Sequence, residues 1–215
     1  MNDFMLLSAA SRFSLRPVEI GGFASLSGRG MHFHTRVYDA AGAGRLCLME
    51  MRAFGGLMKM ESAVFSPTEL DGPLFSCDAV DAAGNTTLLL ELYDTTLSHP
   101  RLAGLDEIKA AYADLPAHDP GSHWYDSLRL PVSDFKKAKG RRADIAAYAG
   151  AYTERYFALL PGCGPCDPGK KRACDAAYAE GLLQNGGPAV NTFRKILGEE
   201  KTALFLKKYM FCCEE

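Results

Sequence analysis

The sequence predicts an α+β fold, with an antiparallel sheet first and a run of helices after it. Two observations carry the prediction. Residues 31–93 fall into short runs of alternating side chains separated by turn signals. Residues 102–211 instead place apolar side chains three and four apart, with Gly and Pro between the runs. The short connections between strand-like runs force antiparallel pairing, because a parallel crossover needs about a dozen residues. Helices on both faces would make a three-layer α/β/α sandwich with a central antiparallel sheet; the pattern alone leaves the layer count open.

RLCLMEMR (45–52) and LMKMESAVF (57–65) flank AFGG, where Gly55 and Gly56 supply the positive φ of a tight hairpin. LFSCDAV (74–80) and TTLLLELY (86–93) flank DAAGN, a second turn signal, and MHFHTRVYDA (31–40) could add a fifth strand. LAGLDEIKAAYADL (102–115) carries Leu105, Ile108 and Tyr112 at helical spacing. RADIAAYAGAYTERYFALL (142–160) puts Ile145, Tyr148, Tyr152 and Leu159 on one stripe. CDAAYAEGLLQ (174–184) is ended by Gly186 and Gly187, and VNTFRKIL (190–197) by Gly198. EEKTALFLKKYMF reads as a final helix or helix plus strand, and residues 116–122 and 161–169 read as loops.

The 215 residues suit one domain spanning 1–215. A net charge of -2, from 24 basic and 26 acidic side chains, gives no bulk positive field for nucleic acid. The start MNDFMLLSAASRF has no basic stretch followed by a long apolar run, and runs such as Leu88 to Leu90 are far too short to cross a bilayer. The expectation is a soluble cytoplasmic protein with no membrane partner. Seven cysteines, an odd number, fit a reducing compartment, with Cys47 and Cys77 as packing residues.

Strand alternation gives the chemical lead, since side chains two apart share a face. Glu50 shares a face with Leu46 and Leu48, Glu61 with Ala63 and Phe65, and Asp78 with Leu74, Ser76 and Val80. A carboxylate among apolar neighbours is costly and its pKa rises. If the three converge, at least one stays protonated near neutral pH as a proton donor. The alternative is that each sits at a strand end or pairs with Arg45, Arg52 or Lys59.

GLMKMESAVFSPTELDGPLFSCDAV (56–80) and TFRKILGEEKTALFLKKYMF (192–211) resemble segments of the ferredoxin-dependent bilin reductase family. Pro73, Phe75 and Asp78 fall where that family has its own proline, phenylalanine and catalytic aspartate. The GEE start and terminal MF are similar to its last helix and final segment. The resemblance implies an α/β/α sandwich with a linear tetrapyrrole between the sheet and the C-terminal helices. It implies electrons arriving singly from reduced ferredoxin or flavodoxin, no metal or flavin held by the enzyme itself, and protons supplied by the protein.

By the same resemblance, Asp78 is the proton donor, and Glu50 matches a glutamate on the first strand of the group. Glu61 stands where relatives have histidine or asparagine, and would relay protons and favour a cationic bilin. Thr87 matches a hydroxyl residue that anchors a propionate, and Arg129 an arginine after the sheet. Asn191 ends the loop QNGGPAVN (184–191) and is counted as substrate-binding, although the family's loop aspartate and propionate-binding lysine are missing there. Two close carboxylates sharing one proton would titrate as a pair.

Other constellations are weaker. GCGPC (162–166) contains a Cys-Gly-Pro-Cys, but it follows a helix rather than a strand. Cys163, Cys166 and Cys174, with Cys212 and Cys213, could offer thiolates to zinc or an iron–sulfur cluster. His32 and His34 share a strand face, and basic runs at 135–142, 169–172 and 206–208 read as solvated surface or as a landing site for an acidic ferredoxin or the propionates. Three readings follow: a ferredoxin-dependent reductase of a biliverdin-like bilin, a non-catalytic tetrapyrrole-binding protein of the same fold, and a thiol or metal protein built on the cysteines.

Overall fold

The structure, a computed structural model, describes residues 1–214. In chain order its elements are α1 (Asn2–Ala10), β1 (Leu15–Pro17), β2 (Ser25–Gly28), β3 (Met31–Ala40), β4 (Gly44–Ala53), β5 (Met58–Pro67), β6 (Leu74–Ala82) and β7 (Asn85–Tyr93). There follow α2 (Leu105–Ala111), β8 (Asp134–Lys139), α3 (Arg142–Leu159), α4 (Pro168–Asn185), α5 (Pro188–Leu197) and α6 (Glu199–Leu204), which runs into a π-helical turn, Phe205–Met210.

The strands make one antiparallel sheet in the order β1-β3-β4-β5-β6-β7-β8, with β2 beside β1 on the outer edge of β3. Both expected hairpins form. Gly55 and Gly56 take φ 65° and 92° between β4 and β5. Ala83 and Gly84, at φ 50° and 75°, close the β6–β7 pair between Ala82 and Asn85. Two successive positive φ values match the right-handed twist of the strands they join. Gly44 is required for another reason: a Cβ there would lie 2.1 Å from the Ser66 carbonyl oxygen.

Alternation sends successive side chains into two cores, and this makes three layers. Leu46, Leu48, Phe65, Phe75 and Leu90 pack under α1, α2 and α3. Cys47, Met49, Val64, Leu74 and Tyr93 pack on the opposite face, against Tyr178, Phe193 and Phe205. On α3 the tyrosines at 148, 152 and 156 are buried one turn apart, and each satisfies its hydroxyl: on Asp134 Oδ2 (2.6 Å), on Val132 O (2.8 Å) and on Pro73 O (2.9 Å).

Two elements depart from the sequence expectation. The basic run at 135–142 is not simple surface, since most of it is β8, an edge strand. Lys137 and Lys139 face out there, and residues 116–118 cover part of its outer edge, His118 N–H donating to the Phe135 carbonyl and Lys137 N–H to the Pro116 carbonyl, both at 3.0 Å. Lys136 is buried and lies 3.3 Å from Asp134. α4 begins at Pro168, six residues before Cys174, because Asp167 caps it by accepting from the Lys170 N–H at 2.9 Å. No helix among the described residues is long and apolar enough to cross a membrane.

Candidate functional site

A cavity of ≈ 730 Å³, counting its mouth, lies between the sheet and the C-terminal helices. Its floor is the second-core face of the central strands: Met60, Ser62 and Val64 of β5, Leu74, Ser76 and Asp78 of β6, and Glu91 and Tyr93 of β7. Its roof is Tyr178 and Leu182 of α4, Ala189 and Val190 of α5, and Leu206, Met210 and Phe211. Period two explains the floor, since Leu74, Ser76 and Asp78 are every second residue. The roof comes together because α4 ends at Gly186, φ 77°, and α5 turns back across the sheet.

Asp78 is the chemical centre. Ser76 Oγ donates to its Oδ2 at 2.9 Å, and Ser62 stands directly opposite it in the β5–β6 ladder. Burial pushes the Asp78 carboxyl above its ordinary range, against the pull of the Ser62 and Ser76 hydroxyls. It is therefore an acid biased toward keeping its proton.

A second carboxylate shares the floor. Glu91 pairs with Ser76 in the ladder, one diagonal step from Asp78, with 8 % of its side chain exposed. Burial and the neighbouring Asp78 charge raise its pKa, while Arg129 lowers it. Arg129 Nε donates to Glu91 Oε1 at 3.1 Å, and its Nη1 lies 2.9 Å from Asp126. The guanidinium also stacks on Tyr125 and Phe135, at 5.4 and 4.9 Å. Tyr93 packs on Tyr178 with centroids 4.6 Å apart and meets Tyr125 edge-on at 5.5 Å. Burial raises all three phenols, Tyr125 to about 12, so each keeps its O–H at neutral pH. The wall is aromatic and carries hydrogen-bond donors.

The three expected carboxylates do not converge. Glu50 and Glu61 are cross-strand partners, and Glu61 is opposite Ala79, so both lie on the other face of the sheet from Asp78. There Glu61 Oε2 accepts from the Met1 amino group (2.7 Å) and the Asn2 N–H (2.8 Å), and docks the start of α1 on the sheet. These contacts outweigh its burial and hold its pKa below the ordinary glutamate value. Glu50 lies 3.6 Å from Arg36 and is half-buried. Both line a hollow of ≈ 780 Å³ under α3, where Arg142 also pairs with Asp81 at 3.0 Å. Neither can exchange a proton with Asp78 through a packed sheet, so the expected relay through Glu61 and Glu50 is corrected. The residues beside Asp78 on the cavity face are Ser62 and, one strand further, Met49.

Thr87 is on the cavity face of β7, paired with Val80 and Lys137, but outside the lining. Arg129 sits behind Glu91 rather than in the cavity, and Asn191 is exposed on α5. The same alternation that picked out Asp78 finds Glu91 when applied to 86–93, where Thr87, Leu89, Glu91 and Tyr93 share a face. Tyr125 and Tyr178 carry no such local signal, being a loop residue and one turn of a helix.

All seven cysteines are free thiols. No group of three or more metal-ligating side chains clusters among the described residues, which removes the geometric basis of the metal reading. Burial raises the pKa of Cys163 and of Cys166, the reverse of an activated redox thiol.

No family model matches the chain, and no curated protein matches it in sequence. Among solved structures, the chain resembles the crystal structure of selenomethionine phytochromobilin synthase from tomato in complex with biliverdin. The TM-score is 0.78 at 14% sequence identity, over 99% of this chain and 82% of that one. At that identity the likeness shows the fold, a three-layer α+β sandwich.

Proposed function

We propose that the cavity takes a linear tetrapyrrole of the biliverdin type and that the protein reduces it, with Asp78 as proton donor. The observation that carries the reading is Asp78 itself. It is an aspartic acid kept toward its protonated form by burial, on the floor of the cavity between the sheet and the C-terminal helices. The tomato protein of like fold was crystallised with biliverdin, which supports the choice of ligand.

Reducing one double bond takes two electrons and two protons. In this reading reduced ferredoxin or flavodoxin supplies electrons one at a time, and each reduction makes the conjugated ligand more basic. Asp78, held by Ser76, gives up its proton to that electron-rich ligand and regains one from solvent. The tyrosine wall excludes water and holds the ring system by stacking.

The alternative is a protein that binds the tetrapyrrole without reducing it. One feature favours it: the residues beside Asp78 on the cavity face are Ser62 and, one strand further, Met49, and neither is an acid or base that titrates near neutral pH.

Anaerobic mixing with biliverdin, followed by reduced ferredoxin, separates the readings. A spectral shift on mixing supports binding, and progressive conversion to a shorter-wavelength product supports reduction. Asp78→Asn should then stall the reaction at the substrate or at a radical. No shift on mixing overturns both.

A further inference from the structure

The end of the sheet that carries the β4–β5 turn is uncovered. Gly30, Gly55, Gly56, Gly84 and Gly140 sit in neighbouring turns there, and a Cβ on any of them would meet nothing within 4 Å. From the middle of this row Phe54 and Leu57 project, 70 % and 80 % exposed, the two most exposed large apolar side chains among the described residues. The two glycines between them leave the tip otherwise bare. Phe54 takes φ 53°, which asparagine or glycine would adopt at less cost, so the turn itself does not call for a phenylalanine. Bases stand behind the tip. Arg52 and Lys59, two residues back on either strand, are direct cross-strand partners on one face. Arg29 occupies the adjoining β2–β3 turn, and Lys139 ends β8 at the same end of the sheet. All four are exposed, and none has an ion-pair partner among the described residues. The acids that flank them in the ladder are engaged: Glu50 faces Arg36, and Asp81, opposite Lys59, is held by Arg142 at 3.0 Å. Like charges directly opposite each other on neighbouring strands are destabilising, and an outside anion relieves them.

We propose that this end of the sheet docks on an anionic lipid surface, with Phe54 and Leu57 entering the layer and Arg29, Arg52, Lys59 and Lys139 meeting the lipid phosphates. The chain as a whole carries a net charge of -2, so the attraction is local to this end. The depth fits. Two residues of strand separate Arg52 from Phe54 and Leu57 from Lys59, roughly 7 Å. An interfacial segment enters the headgroup boundary by about 5–10 Å, which puts the apolar tip below the phosphates and the bases level with them. Two large apolar side chains on a projecting turn suit a soft layer that closes around them, whereas an acidic protein surface would need a preformed apolar pocket of matching shape. Docking of this kind needs no spanning helix. None of these residues lines the cavity between the sheet and the C-terminal helices, so the inference stands apart from the tetrapyrrole reading.

The test is flotation of the full chain with vesicles of phosphatidylcholine alone and of an equal mixture of phosphatidylcholine and phosphatidylserine. The mixed vesicles should bind it about tenfold more tightly or better, and the difference should shrink as salt rises. Arg52→Gln/Lys59→Gln should weaken that binding about 25-fold, at about fivefold per base. Phe54→Asn/Leu57→Ser, in which asparagine suits the positive φ, should weaken it by about tenfold or more. Circular dichroism checks that both variants are folded. Phe54→Trp gives a readout that does not depend on them: its fluorescence should shift to the blue on the mixed vesicles by more than that of the wild-type chain, whose Trp124 lies elsewhere. No flotation with mixed vesicles at low salt, or no additional blue shift in Phe54→Trp, overturns the proposal. Equal binding to both kinds of vesicle overturns the part given to the bases. Weakening in Arg52→Gln/Lys59→Gln alone, with the tip variant binding like wild type, overturns insertion and points to an acidic protein as the occupant.

Discussion

Lys171 and Asp175 lie one turn apart on α4, both 0 % exposed, with Nζ 2.9 Å from Oδ1. The same Nζ donates to Thr95 Oγ1 at 2.9 Å, which ties α4 to the residues just after β7. Asp175 Oδ2 is buried without a hydrogen-bond partner, and burial raises the Asp175 pKa against the pull of Lys171. Lys171→Met keeps most of the stem volume and deletes the charge. The carboxylate left behind is fully buried and has lost the cation it was paired with. Removing one partner of a buried pair costs about 3–5 kcal/mol. The lower end applies here, because Asp175 can take up a proton and become neutral. For a chain of this size about 3 kcal/mol lowers the melting midpoint by roughly 6–12 °C. The sign with pH follows. Without Lys171 the folded-state pKa of Asp175 rises further, so stability falls as pH rises above the ordinary carboxylate range, and the deficit is largest at neutral pH. The double variant Lys171→Met/Asp175→Leu should return to within about 1 kcal/mol of wild type, since apolar replacements of buried pairs are often neutral. Urea denaturation followed by circular dichroism at pH 5 and pH 7 reads all three proteins. A single variant as stable as wild type, or a double variant as unstable as the single, refutes the reasoning.

Asp78 has a raised folded-state pKa, so its contribution to stability is present in acid and is lost as pH rises above the ordinary aspartate value. Asp78→Asn should therefore melt at a higher temperature than wild type at pH 7 and show a flatter midpoint between pH 4 and pH 7. A lower midpoint at pH 7 would sink this. Glu61 is the opposite case: its lowered pKa gives stability above the ordinary glutamate value that is lost as pH falls. Glu61→Gln should cost about 1–2 kcal/mol at neutral pH, the weight of one charge-assisted contact, and nothing in acid, with the spectrum of bound biliverdin unchanged. Ser62→His should place an imidazole opposite Asp78 and alter the pH dependence of that spectrum, whereas Glu61→His should leave it as it is. The reverse pattern would mean that the β5–β6 register is wrong.

The central meander was legible because its turns are. AFGG and DAAGN supply residues for positive φ, and connections that short allow only antiparallel pairing. The helices were legible where one face repeats, as on α3. The edges were not. β8 reads FKKAK because an edge strand is half solvated and needs few apolar side chains, so its sequence looks like a charged loop. β1 and β2 are three and four residues long and exist by pairing with β3, a non-local contact with no periodic signature of its own.

The site shows where alternation stops informing. In a half-exposed sheet, a carboxylate among apolar residues at once tells which face is buried. This sheet is covered on both sides, so Glu61 among Ala63 and Phe65, and Asp78 among Leu74 and Val80, each look like a core face. They are different cores. Only register tells them apart, and β5 and β6 are joined by residues 68–73, a loop too long and irregular to fix it. A single step matters because the period is two: Ser62, not Glu61, pairs with Asp78. That step divides the acids of the sheet by task. On one face Glu61 is ionised by the amino group it binds and fastens α1 to the sheet. On the other, Asp78 and Glu91 are kept toward their neutral forms, and Arg129 lowers the Glu91 pKa without entering the cavity. Acidic residues on neighbouring strands thus become an ionised structural anchor or a carboxyl kept toward its neutral form, according to which helices cover them.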